Sequence, residues 1–144
     1  MPELVDANRV AAISALLTEF CWCADNAQGD RIASLFSEKG SIKTPHFEVN
    51  GIDEIRTAFG ARPPKLSRHN WMNLRITPLG PDRYTVETNM ITATGPLPAP
   101  QAGGNIAITT STDEIVFENG AALFASRTLA IAFEGTIVAK EPVA

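Results

Sequence analysis

Residues 12–36, AISALLTEFCWCADNAQGDRIASLF, decide how the chain is read. Ile13, Leu16, Leu17, Phe20, Cys21 and Ala24 recur at steps of three and four, the spacing that lines one face of an α-helix. With Val5 upstream, the pattern predicts a long amphipathic helix over residues 3–27. Asp25 stands four residues after Cys21 and eight after Leu17, so it continues the apolar stripe and not the wet face. An ionised carboxylate is costly to bury unless a partner or hydrogen bonds compensate it. A stripe that runs into Asp25 therefore asks for a partner on another element.

Outward from that stretch, Gly29-Asp30 breaks the helix and caps a short second one, Arg31 to Phe36. SEKG reads as a turn, and SIKTPHFEV as a strand with an edge or a bulge at Pro45. NGIDEIRTAFG places Ile52, Ile55 and Phe59 at helical spacing and ends on a glycine. Beyond ARPPKLS the pattern changes to strands only. RHNWMNLRITPLG and DRYTVETNMITATG flank a GPD hairpin turn, and NIAITTSTDEIVF and AALFASRTLAIAFEG flank ENG. PLPAPQAGG between the hairpins reads as a flexible connection, a lid or a dimer-edge loop. This order predicts an α+β fold, a strongly curved antiparallel sheet with helices packed on one face. Such a sheet closed by a long helix is a cone, and its open end is a pocket. With 144 residues and no internal repeat, one domain over 1–144 is expected.

A formal net charge of −4 and the scattering of the twelve Lys and Arg argue against nucleic acid. No apolar run approaches the roughly 20 residues of a membrane-spanning helix. MPELVDANRV carries no basic segment followed by an apolar one, so a cytoplasmic location is expected. Cys21 and Cys23, the two cysteines, diverge on a helix and read as packing residues. With two histidines far off in sequence, no metal site and no cofactor are expected.

Two titratable groups stand out, Asp25 and His69. From His69 the strand alternates, with His69, Trp71 and Asn73 on one face. If that face looks into the cone, a carboxylate from the helix meets an imidazole from the sheet. A carboxylate that accepts from one ring nitrogen fixes the tautomer and stabilises the imidazolium, leaving the other nitrogen to take a proton from carbon. The competing reading makes Asp25 a local helix-end acceptor and His69 a strand-edge residue. Trp22 and Trp71 read as pocket wall, and His46 alternates with Ile42 and Thr44 toward the cavity. Tyr84, the single tyrosine, lies on another strand and is kept among candidate substrate contacts. Arg127 sits in an apolar strand; general burial rules send it to solvent, and the alternative is an anchor for a substrate oxygen or anion.

AISALLTEFCWCADNAQGDRIASLFSEKGSI, VNGIDEIRTAF and SRHNWMNLRI, with the closing SRTLAI, resemble in order and spacing the SnoaL-like branch of the nuclear-transport-factor-2-like superfamily. The resemblance implies the cone inferred above. Within that superfamily the pattern is similar to scytalone dehydratase, bile-acid dehydratase and hexachlorocyclohexane dehydrochlorinase, which implies an Asp–His dyad at Asp25 and His69. The asparagine of H-x-x-x-N corresponds to Asn73. The chain departs from many relatives in its longer Asp25–Asp30 step and in lacking a tyrosine beside the helical aspartate. The implied activity is a cofactor-independent dehydratase, other β-eliminating lyase or isomerase acting on a small hydrophobic molecule. A non-catalytic ligand-binding module and a polyketide-cyclase-like enzyme are the alternatives, and a homodimer is expected.

Overall fold

The computed structural model describes residues 4–138. Helix α1 (Ala7–Asp25) begins where the sequence supplies an acceptor: the Asp6 carboxylate takes the N–H groups of Asn8 at 3.0 Å and Arg9 at 3.3 Å. That cap satisfies donors that the first turn leaves unpaired. The helix is thus shorter than the expected 3–27, and residue 3 lies outside the described residues. Asn26 ends it, with both its backbone and its side-chain nitrogen donating to the Trp22 carbonyl.

The NAQG step is absorbed after α1. Ala27 takes a positive φ of 54°, and α2 (Gly29–Ile32) follows at once, running into a 3₁₀ turn, Ala33–Leu35. Gly29 is required there, because a Cβ at this position would stand 2.2 Å from the Phe59 carbonyl oxygen. The longer Asp25–Asp30 spacing therefore leaves the phase of Asp25 on α1 untouched. Helix α3 (Ile52–Gly60) buries Ile55 and Phe59 as its spacing requires.

Six strands form one curved sheet: β1 (Phe36–Lys43), β2 (Glu48–Asn50), β3 (Leu66–Gly80), β4 (Arg83–Gly95), β5 (Gly104–Glu118) and β6 (Ala121–Ile137). Their order is β2-β1-β6-β5-β4-β3. The architecture is the expected α+β cone with three helices, and two details differ. The β1–β6 pair is parallel, so the sheet is mixed. SEKG is no turn but part of β1, and the break falls at residues 44–47, where the Thr44 hydroxyl accepts from the backbone N–H of both His46 and Phe47.

Helix α1 runs across the concave face, antiparallel to β3. Arg9 meets Asp82 at 2.7 Å, the Trp71 indole donates to the Thr18 hydroxyl at 3.1 Å, and Asp25 meets His69. From Arg9 to Asp25 the helix rises about 24 Å, whereas the strand from His69 to Asp82 has a contour of about 43 Å. The difference is taken up by curvature. A bulge between Met72 and Arg75, with Asn73 at φ 56°, supplies part of the bend. The core fills the space between: Phe20 packs edge-on against Phe36, Phe59 and Phe124 at centroid distances of 5.9–6.4 Å, around Ile13, Leu17, Val86 and Ile115. No helix among the described residues is long and apolar enough to cross a membrane.

The Gly29 contact gives a direct test. Gly29→Ala forces α2 off Phe59 and is expected to cost about 1–3 kcal/mol in urea unfolding. Unchanged stability would show that the two helices are not held this closely.

Candidate active site

Asp25 is the last residue of α1, and the start of β3 passes beside it. Its carboxylate accepts three hydrogen bonds from that strand. Oδ1 takes the His69 Nδ1–H at 2.5 Å and the Ser67 hydroxyl at 3.0 Å, and Oδ2 takes the His69 backbone N–H at 2.9 Å. The side chains of His69 and Asp25 are only 17% and 12% exposed. This answers the sequence puzzle: the apolar stripe ends on a carboxylate because β3 supplies its donors. With Nδ1 donating to Asp25, the neutral imidazole has its lone pair on Nε2, which makes no hydrogen bond among the described residues.

Ser67 is a polar contact that sequence reasoning missed. It is 1% exposed and sits two residues before His69, on the same strand face. That alternation was the available signal.

A pocket of about 200 Å³ opens at the C-terminal end of α1, with His69, Ala24, Ile32, Phe59, Arg62 and Lys65 on its walls. A second hollow of about 280 Å³ is lined by Ser67 and bordered by Gln101 and Gly103 of the Pro- and Gly-rich connection.

Deeper in the cone lies a second polar centre. Arg127 is 2% exposed, so the expectation that it points to solvent is overturned. Its Nε donates to Asp113 Oδ1 at 2.9 Å, and its Nη2 donates to Asp113 Oδ2 at 3.2 Å and to the Ser111 hydroxyl at 3.0 Å. The guanidinium also stacks between the Phe20 and Phe124 rings, 4.3 and 4.4 Å from their centroids. Asp113, directly opposite Arg127 in the β5–β6 register, makes the inward position affordable. Burial raises the Asp113 carboxyl pKa against the opposing pull of Arg127 and Ser111. Arg127 Nη1 and the hydroxyls of Thr88 and Thr109 find no hydrogen-bond partner among the described residues. Thr88 faces Ser111 across the β4–β5 register, and Thr109 lies two residues from Ser111 along β5.

Cys21 connects the two centres. Its thiol lies 4.0 Å from the Met90 sulfur, and burial pushes it from its usual 9.0 to about 11, with Arg127 opposing and Asp25 and Asp113 adding to the shift. Both cysteines are free and buried. No group of three or more metal-binding side chains occurs among the described residues.

The remaining candidates lie elsewhere. Trp22 is 58% exposed, because its helical phase points away from the Cys21–Asp25 face. Trp71 does face the helix but is tied to Thr18. Asn73 is exposed: the bulge turns it out of the face and hands the inward phase to Leu74. His46 is exposed in the Thr44–Phe47 turn. Tyr84 is buried against Phe117 near the β3–β4 turn, with its hydroxyl 3.5 Å from the Pro81 carbonyl, at the end of the cone opposite the dyad.

A curved sheet wrapped around a long first helix is the architecture of the nuclear-transport-factor-2-like class of folds. Within that class the chain belongs to the SnoaL-like domain family, whose model matches residues 5–128. Similar solved structures include a provisionally assigned scytalone dehydratase from Novosphingobium aromaticivorans (TM-score 0.77, 16% identity, covering 94% of this chain and 95% of that one). A hexachlorocyclohexane dehydrochlorinase of type 3 from Novosphingobium barchaimii has TM-score 0.78 and 16% identity, over 97% of this chain and 99% of its own. The ActVI-ORFA protein of Streptomyces coelicolor has TM-score 0.70 and 16% identity, over 88% and 98%. At these identities the likeness is one of fold. No curated protein sequence matches the chain.

Two tests follow from the interior. Asp113→Leu strands a buried guanidinium and is expected to cost about 3–5 kcal/mol in chemical unfolding, most of which a paired Arg127→Met restores. No rescue by the second change would refute the pairing. With its thiol near 11, Cys21 is expected to react with iodoacetamide at pH 8 about a hundredfold more slowly in the folded than in the unfolded chain. Equal rates would contradict its burial.

Proposed function

We propose that the protein is a cofactor-independent lyase or isomerase acting on a small, mainly apolar molecule, with His69 as general base and Asp25 as its orienting partner. The supporting observation is the Asp25–His69 contact, in which a carboxylate satisfied by three donors holds an imidazole whose second nitrogen is unpartnered beside a pocket. His69 Nε2 would take a proton from a substrate carbon, and Asp25 would stabilise the imidazolium that results. The electrons of the C–H bond would form the new double bond, and the leaving group would depart with the pair of its own C–O or C–X bond, a hydroxide taking the proton from the His69 imidazolium to leave as water. In isomerisation the same proton would return at a different carbon. Arg127 Nη1 and the hydroxyls of Thr88 and Thr109 are buried and unpartnered among the described residues, and would be the hydrogen-bonding groups for a substrate oxygen that reached the interior. The tyrosine of the dehydratase pattern has no counterpart here, since Tyr84 is remote, and this interior group is its candidate substitute.

A second reading is a non-catalytic binding module. It is favoured by the filling of the cone interior by the Arg127–Asp113 pair and the Cys21–Met90 contact.

The discriminating measurement is turnover, and deuterium incorporation from solvent, with a panel of small cyclic β-hydroxy ketones. His69→Gln and Asp25→Asn are each expected to lower the rate by about 10²–10⁴-fold without loss of fold. Activity that survives His69→Gln would rule out the base assignment, and no turnover of any panel member by the unaltered chain would favour the binding module.

A further inference from the structure

Six of the eight arginines hold a carboxylate: Arg9 with Asp82, Arg31 with Glu19, Arg56 with Asp53, Arg75 with Glu87, Arg83 with Glu114 and Arg127 with Asp113. A seventh, Arg68, donates to the Ser67 carbonyl. Arg62 is different: its guanidinium makes no hydrogen bond or ion pair among the described residues. It is nonetheless held in place, 4.3 Å above the Phe59 ring and 5.1 Å from the Phe47 ring. The residue as a whole is solvent-exposed, yet contact with those rings removes enough water from its head group to lower its pKa. A guanidinium stacked by its face keeps its N–H edges free to donate.

Arg62 lines the same pocket as His69. Lys65 lies there too, and Asp30 is the single carboxylate on that wall, with no ion pair to either cation within 4.0 Å. The mouth therefore carries an excess of positive charge in a chain whose net charge is −4. Its other walls are apolar, from Ala24, Ile32, Phe59 and Pro63.

We propose that this mouth is an anion subsite, with Arg62 as its anchor, and that the ligand is a hydrophobic carboxylic acid. The carboxylate would take the free guanidinium edge, and the apolar body would extend along Ala24 and Ile32 toward His69. Only the orientation of that body toward a reacting proton rests on the reading of His69 as base; the subsite itself does not.

The probe pair is 1-naphthoate and 1-naphthol, matched in their ring system and differing in charge, with binding followed by calorimetry at low salt. Naphthoate is expected to bind at least tenfold more tightly than naphthol and to weaken as salt is raised. Arg62→Gln is expected to cut naphthoate affinity about tenfold and leave naphthol unchanged, with Arg62→Lys in between because it keeps the charge but not the planar fork. Thermal unfolding of each variant separates loss of the anion contact from loss of the stacked packing. Preference for naphthol, binding of neither compound, or naphthoate affinity unchanged in Arg62→Gln would overturn the proposal. His69→Gln is expected to retain naphthoate binding, so failure of the base assignment and failure of the anion subsite give different results.

Discussion

The Asp25 carboxylate ties the C-terminal end of the helix to the sheet. Asp25 closes α1, and each of its hydrogen bonds comes from residues 67–69 at the beginning of β3. A buried carboxylate stripped of donors is among the costliest features a core can hold, so the helix can seat only where those donors wait. The Ser67 hydroxyl, the His69 ring and the His69 backbone N–H therefore set where the C-terminal end of α1 stops on the sheet. At the other end Arg9 clasps Asp82. Between these two points β3 must bend, and it does so through the bulge at Asn73. The candidate dyad thus sits on the contact that seats the C-terminal end of α1 on the sheet.

The interior holds a second compensated charge. The Arg127–Asp113 pair is bidentate, shares Ser111 and is sandwiched between Phe20 and Phe124. Buried pairs of this kind contribute little net stability compared with a well-packed apolar substitute, because desolvation consumes most of the Coulomb gain. What such a pair does supply is a fixed set of donors at a fixed place. Cys21, between the two centres, responds to that field: its thiol is raised by burial and by two carboxylates, and the guanidinium only partly offsets them. A thiol in that position is inert filling, as the sequence reading of both cysteines expected.

Local patterns carried the sequence reading far. The three-and-four spacing gave α1 and placed Asp25 on its apolar face, and alternation from His69 put His69 and Trp71 on one side, though, counted only forward, it left out Ser67. What failed was non-local. Alternation assumes an unbroken register, so it carried Asn73 inward, whereas the bulge rotates the chain there and leaves the asparagine at positive φ and exposed. His46 was assigned by the same rule across a segment that Thr44 folds into a turn. Arg127 was sent outward because burial statistics treat one residue at a time, and its partner Asp113 is adjacent only after β5 and β6 pair. The parallel β1–β6 contact has no local signature at all. The NAQG step, by contrast, lies outside the helix, so it changes the loop and not the phase of the carboxylate.

The charges along the cone axis bear on which chemistry the site suits. At the floor the Arg127–Asp113 pair sums to zero, and at the mouth Arg62 and Lys65 outnumber Asp30. Between them lies the Asp25–His69 contact. On the proposed mechanism, proton transfer to His69 would place an imidazolium against the Asp25 carboxylate without moving a heavy atom. In a largely desolvated space, creating a contact ion pair around a charge already present costs less than creating an isolated charge. The electrons of the C–H bond would then shift within the substrate, and negative charge would build on its oxygen or leaving group. A floor whose charges sum to zero stabilises a developing oxygen anion through hydrogen bonds without trapping it as a tight salt, which suits a leaving group that must depart. On the proposed mechanism, elimination and isomerisation would share the proton abstraction and differ in its sequel: in one a leaving group departs, in the other the proton returns to a different carbon.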